Sequence, residues 1–81
     1  MPKSEDSEIL RRVRRELNRR SCDTSKVQAR VSYGVLYLSG EIKKSRGMMG
    51  SLKEEVEILR TIMLHVPGIR EMSDYQLRLV E

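Results

Sequence analysis

Apolar residues recur along this chain with two different periods. Ile9, Leu10, Val13 and Leu17 fall on an arc of roughly 100° when each residue turns the chain by about 100°, the period of an α-helix. Ser4, Glu5, Asp6 and Glu8 suit a helix start, and Arg19 and Arg20 suit its end, so the spacing predicts a helix from about Asp6 to Arg20. The polar run Ser21 to Ser25 predicts a connection that contains Cys22. From Lys26 the period falls to two. Val27, Ala29 and Val31 alternate with Lys, Gln, Arg and Ser, which gives a strand one apolar face. Tyr33 and Gly34 separate it from Val35, Leu36, Tyr37 and Leu38, and a glycine in the second turn position tolerates the positive φ of a two-residue hairpin. The second strand is expected to run through Ser39 and Gly40 to Ile42, with Gly40 admitting a bulge or a close approach of its neighbour.

The stretch from Lys43 to Gly50 combines three basic residues with two glycines and reads as a mobile loop. Beyond it Leu52, Val56, Leu59, Ile62, Met63 and Val66 share one arc of a second helix, with Ser51 as its cap and Glu54 and Glu55 in its first turns. Pro67 and Gly68 stop that helix, and Tyr75, Leu77 and Leu79 then alternate with Gln76, Arg78 and Val80 as a last strand with one apolar face. The predicted order is α-β-β-α-β, an α+β fold in which two helices layer on one face of a small three-stranded sheet and the other face meets solvent. Chain connection rules leave the strand order open.

Length bounds this picture. A chain of 81 residues buries about 60–65% of its extended surface, enough for one domain over 1–81 with a flexible tail over 1–5. Phe and Trp are absent and only three Tyr occur, so the core falls to Leu, Ile, Val and Met. The formal charge of +4 favours anionic partners without choosing among lipid, nucleic acid and acidic protein. Cys22 is the one cysteine, so no disulfide can form within the chain. Met1 to Ser7 has no apolar run behind it and does not read as a signal peptide. The chain as written is expected in the cytoplasm, or in the periplasm or cell envelope if it was excised from a longer exported protein.

The segments Asp6-Ser7-Glu8-Ile9-Leu10, Val27-Gln28-Ala29-Arg30-Val31, Gly34-Val35-Leu36-Tyr37-Leu38-Ser39-Gly40 and Val66-Pro67-Gly68-Ile69 resemble successive landmarks of the BON domain family. The resemblance spans nearly the whole chain. It rests most on the hairpin glycine followed by an alternating strand ending Leu-Ser-Gly, and on a helix closed by Val-Pro-Gly-Ile before a last strand. It implies an α/β module of bacterial envelope or osmotic-stress proteins that binds phospholipid or another envelope ligand, with no catalytic motif and no cofactor. The second helix departs from the family in using bulky Val, Leu, Ile and Met where Ala is common, and the loop before it carries paired glycines.

Several residues are candidates for chemistry. Arg11, Arg12, Arg15 and Arg19 share an arc of about 100° opposite the apolar stripe of the first helix, a basic face on which an anionic surface can dock. The plainer alternative is a solvated face held by Glu8 with Arg12 and by Glu16 with Arg12, Arg19 or Arg20. Gly47-Met48-Met49-Gly50 has the Gly-x-x-Gly form with which KH domains clamp a nucleic-acid backbone, and Lys43, Lys44 and Arg46 beside it suit phosphates. Its apolar middle residues and the single helix readable after it argue against that reading, and Tyr33, Tyr37 and Tyr75 are the only rings available for stacking. His65, late in the second helix, suits the helix C-terminus better than a metal, and Cys22 reads as a passive loop thiol. Met48, Met49, Met63 and Met72 suit either an adaptable surface or core gaps, and Ile58 and Leu64 hint at a partner-facing patch. The leading expectation is a non-catalytic, BON-like module that contacts an anionic ligand such as phospholipid, or a protein partner, through its basic helix and exposed sheet face. RNA binding through the glycine loop and self-assembly as a structural protomer are the alternatives.

Overall fold

The computed structural model describes residues 4–47 and 49–80. It contains α1 (Ser4–Asn18), β1 (Asp23–Ser32), β2 (Val35–Lys43), α2 (Leu52–Leu64) and β3 (Glu71–Val80), the α+β order the hydrophobic pattern predicts. Residues 1–3 of the expected tail, Met48 and Glu81 lie outside the described residues. The sheet has β2 at its centre, antiparallel to β1 and parallel to β3. Tyr33 and Gly34 form the hairpin turn with φ of 51° and 80°, so both central residues take the left-handed conformation that a two-residue turn of this twist requires. Arg70 ties this turn to the start of β3. Its N–H donates to the Gly34 carbonyl (2.8 Å) and its Nε to that of Tyr33 (3.1 Å).

Element ends depart from the sequence pattern where backbone groups find other partners. α1 stops at Asn18, because the N–H groups of Arg19 and Arg20 turn to the carbonyls of Glu16 and Leu17 three residues back. β1 starts at Asp23, ahead of the expected Lys26, with a shift in register between those two residues. Cys22 therefore sits at the threshold of the strand and is buried, not displayed in an open connection. β2 includes Lys43, and the Lys44 N–H donates to the Val80 carbonyl, so the loop before α2 is shorter than 43–50. α2 ends at Leu64 with His65 as its cap, leaving Val66 beyond the helix but still buried.

The largest correction concerns β3. Tyr75, Leu77 and Leu79 were expected on one apolar face, but Tyr75 is 94% exposed and the buried residues are Met72 and Leu77. Met72 pairs with Leu36 and Leu77 with Gly40, so β3 spends five steps where β2 spends four. The extra residue is a bulge at Asp74 and Tyr75, between the pairs Tyr37–Ser73 and Ser39–Gln76. Arg60 of α2 holds it in place. Its guanidinium donates to the Met72 carbonyl (2.8 Å) and pairs with the Asp74 carboxylate (3.1 Å), and Tyr75 is left outside.

One cluster of buried residues joins all five elements. Val27, Val31, Leu36, Leu38, Ile42, Met72 and Leu77 come from one face of the sheet, Val13 and Leu17 from α1, and Leu52, Val56, Leu59 and Met63 from α2. Each fully buried aliphatic chain contributes about 1.5–3 kcal/mol relative to exposure. Among the described residues the cluster holds no aromatic ring. Gly40 allows β1 to approach closely, because a Cβ there would lie 2.1 Å from the Lys26 carbonyl oxygen. Gly68 does the same for α1, where a Cβ would meet Ile9 Cδ1 at 2.5 Å.

Candidate functional site

α1 displays its arginines because its opposite side is spent on the core. Val13 and Leu17 are fully or nearly buried, and Arg11, Arg12, Arg15 and Arg19 project outward as their spacing predicts. Arg14, omitted from that arc, is also exposed. Of the ion pairs considered for this face only Arg19 with Glu16 forms (3.1 Å). Arg20 turns away to α2 instead. Arg11, Arg12, Arg14 and Arg15 make no ion pair among the described residues. Arg12 also borders two shallow depressions, one with Glu8, Ile9 and Pro67, the other with Glu16, Thr61 and His65.

The remaining basic candidates stand elsewhere. Lys43 closes β2 opposite Asp23, and Lys44 and Arg46 follow it, with no hydrogen bond or ion pair to the α1 arginines among the described residues. The glycine loop leads directly from β2 into α2. Gly47 and Gly50 have φ of 84° and 90°, and Met49 is 92% exposed. The Glu54 N–H donates to Ser51 Oγ (3.2 Å), which in turn donates to the Glu54 carboxylate. That carboxylate and Glu55 already occupy the positive end of α2, where a clamped phosphate would need the helix dipole for itself.

The solvent-facing side of the sheet, expected to share in binding, carries a groove that the sequence pattern does not delimit. Gln28, Arg30, Tyr37, Ser39, Ser73, Tyr75 and Gln76 line a groove of about 450 Å³ on the polar face of the sheet. Arg30 and Tyr37 are opposite each other in the β1–β2 register, and the guanidinium lies 5.1 Å from the ring centroid. Tyr75 joins them only because of the bulge. The polar half of the β1 and β2 alternation was visible in the sequence. The useful signal for β3 was the odd five-residue step from Met72 to Leu77, which strict alternation cannot place on one face.

The other candidates take structural places. Met63 and Met72 are core residues, whereas Ile58 and Leu64 are exposed but six positions apart, about 120° around the helix, and form no common patch. His65 Nδ1 donates to the Thr61 carbonyl at 2.7 Å, which engages the ring in closing α2. Glu55, the buried carboxylate of α2, accepts from Arg20 Nε, and this bond raises the Arg20 pKa further. Burial first, and then the negative charge of Glu55, push the Cys22 thiol pKa above its ordinary value, so the nucleophilic thiolate is disfavoured. Among the described residues no group of three His, Cys, Asp or Glu side chains is placed to hold a metal, and no helix is long and apolar enough to cross a membrane. Comparison with family models, curated proteins and solved structures gives no match.

Proposed function

We propose that this chain is a non-catalytic, BON-like binding module that takes an anionic surface, phospholipid in the first instance, on the outer face of α1. The observation that carries the reading is the set Arg11, Arg12, Arg14 and Arg15, all exposed and without an ion-pair partner among the described residues. The α-β-β-α-β order supports the BON-like part. A thiol held neutral by burial and an imidazole engaged by a helix carbonyl support the non-catalytic part.

Magnitudes set the strength of such binding. A basic residue near an anionic bilayer contributes about 1 kcal/mol, so four contribute about 4 kcal/mol, which corresponds to a dissociation constant of about 1 mM. One module alone therefore binds weakly and reversibly, and tight attachment requires several modules or a second contact. The test is co-sedimentation and amide chemical-shift titration with vesicles of phosphatidylserine in phosphatidylcholine against phosphatidylcholine alone. Shifts confined to α1 and to the anionic vesicles, lost in the R11Q/R12Q/R14Q/R15Q variant, are expected. An unchanged α1 at high lipid overturns the lipid reading.

A further inference from the structure

We propose that the groove on the polar face of the sheet binds a short single-stranded polynucleotide, with its bases stacked against Tyr37 and Tyr75. The starting point is where the aromatic rings lie. Rings usually dominate cores because they bury so much apolar area, yet all three rings of this chain are outside the core. Two of them line one groove, Tyr37 at 37% exposure and Tyr75 at 94%. Displaying a ring to water forgoes its burial. Here the display is also structurally specified, since Arg60 holds the bulge that turns Tyr75 outward.

The surrounding chemistry narrows the occupant. Gln28, Gln76, Ser39 and Ser73 offer donors and acceptors of the kind that meet base edges, and the rings and the Arg30 guanidinium offer flat faces for stacking. Charge favours a polyanion over a neutral sugar. The rungs beside the groove carry Lys26, Arg30 and Arg78, and the carboxylate among them, Glu41, is engaged by Arg78 at 3.8 Å. Lys26 is left to meet phosphates and Arg30 stands over Tyr37 within their reach, while Glu71, one same-face rung beyond Tyr37 and Ser73, is the carboxylate at the opposite end of the groove. The groove volume of about 450 Å³ lies within the range of ligand clefts, about 300–1,000 Å³. A duplex, whose bases are already stacked and paired, has no free base faces to offer it.

This inference uses none of the α1 arginines and stands apart from the lipid reading. It is tested by fluorescence anisotropy with labelled eight-nucleotide oligo(U) and oligo(A) RNA, an eight-base-pair duplex as control, and the parent chain beside Tyr75→Ala, Tyr75→Phe and R11Q/R12Q/R14Q/R15Q variants. The single strands are expected to bind more tightly than the duplex, with affinity falling as salt rises. Tyr75→Ala is expected to lose about 5- to 150-fold, the span of base–aromatic stacking, while Tyr75→Phe stays within about twofold. Because Tyr75 is almost wholly exposed, the alanine variant folds, and circular dichroism verifies it. Three results overturn the proposal: no single-strand binding by the parent, equal binding by Tyr75→Ala, or binding that vanishes only when the α1 arginines are neutralised. The last outcome identifies non-specific charge attraction, and the vesicle titration still decides the lipid reading by itself.

Discussion

Replacing Gly40 by alanine tests the close packing of β1 on β2 directly. Gly40 has φ of 93°, a conformation that costs a residue with a Cβ about 1–2 kcal/mol. The added carbon would also stand 2.1 Å from the Lys26 carbonyl oxygen and 3.2 Å from its carbon, backbone atoms that cannot rotate aside. Relief requires the two strands to part beside the Val27–Gly40 pair. Losing two neighbouring ladder bonds at about 1 kcal/mol each brings the total to about 3–4 kcal/mol. The whole domain is worth only about 4–12 kcal/mol at its length. Gly47→Ala is the matched control, because φ there is 84° and a Cβ would meet nothing within 4 Å. It keeps the conformational cost and lacks the collision. Urea unfolding followed by far-ultraviolet circular dichroism is expected to place Gly40→Ala about 2 kcal/mol below Gly47→Ala, a gap of about 8–16 °C in Tm. Two variants within about 0.5 kcal/mol of each other would refute the reasoning, since ordinary surface substitutions differ by that much.

Tyr33 occupies the left-handed region with an exposed ring, so Tyr33→Asn, which suits the first position of this turn, is expected to raise Tm by about 4–8 °C; no rise in a thermal melt counts against the turn assignment. Glu55→Ala leaves Arg20 facing a buried site without its acceptor and is expected to cost about 2 kcal/mol, below the usual loss for a buried pair because the Arg20 side chain is 23% exposed. A double-mutant cycle with Arg20→Met that shows no coupling would remove the pair from the account. The Cys22 thiol pKa is raised in the folded chain, so its contribution to stability is complete below the ordinary value of 9.0 and is lost as pH rises through the folded value. Cys22→Ala is accordingly expected to flatten the decline of stability above about pH 9, and parallel curves for the two proteins exclude this linkage.

The element order was legible because each element carries its own period. Val13 and Leu17, Val27 and Val31, and Leu52, Val56, Leu59 and Met63 all lie in the core where helical or alternating spacing places them. The hairpin turn was equally plain from Gly34. Other features depend on partners distant in sequence, which local pattern does not encode. Glu55 looks like a surface residue of a first helical turn, and only Arg20, thirty-five positions earlier, explains its burial. Strand order follows from how α2 carries the chain across to β3, and the apolar pattern of the strands is the same for either neighbour. Tyr75 was misplaced because alternation was extended from Leu79 back through a bulge that Arg60 stabilises from another element. The arginine face of α1 needed no such help, since exposed helical positions follow directly from the buried ones.

The irregularity in β3 separates what this domain is from what it can touch. Removing one residue at Tyr75 would return the strand to plain alternation, with Met72 and Leu77 still inward and Ser73 and Gln76 still outward. The core would be indifferent to the loss, and the outer platform would lack one of its two rings. Gain or loss of a single codon is thus enough to add or remove one ring of this platform, which lets the scaffold and its recognition properties diverge independently.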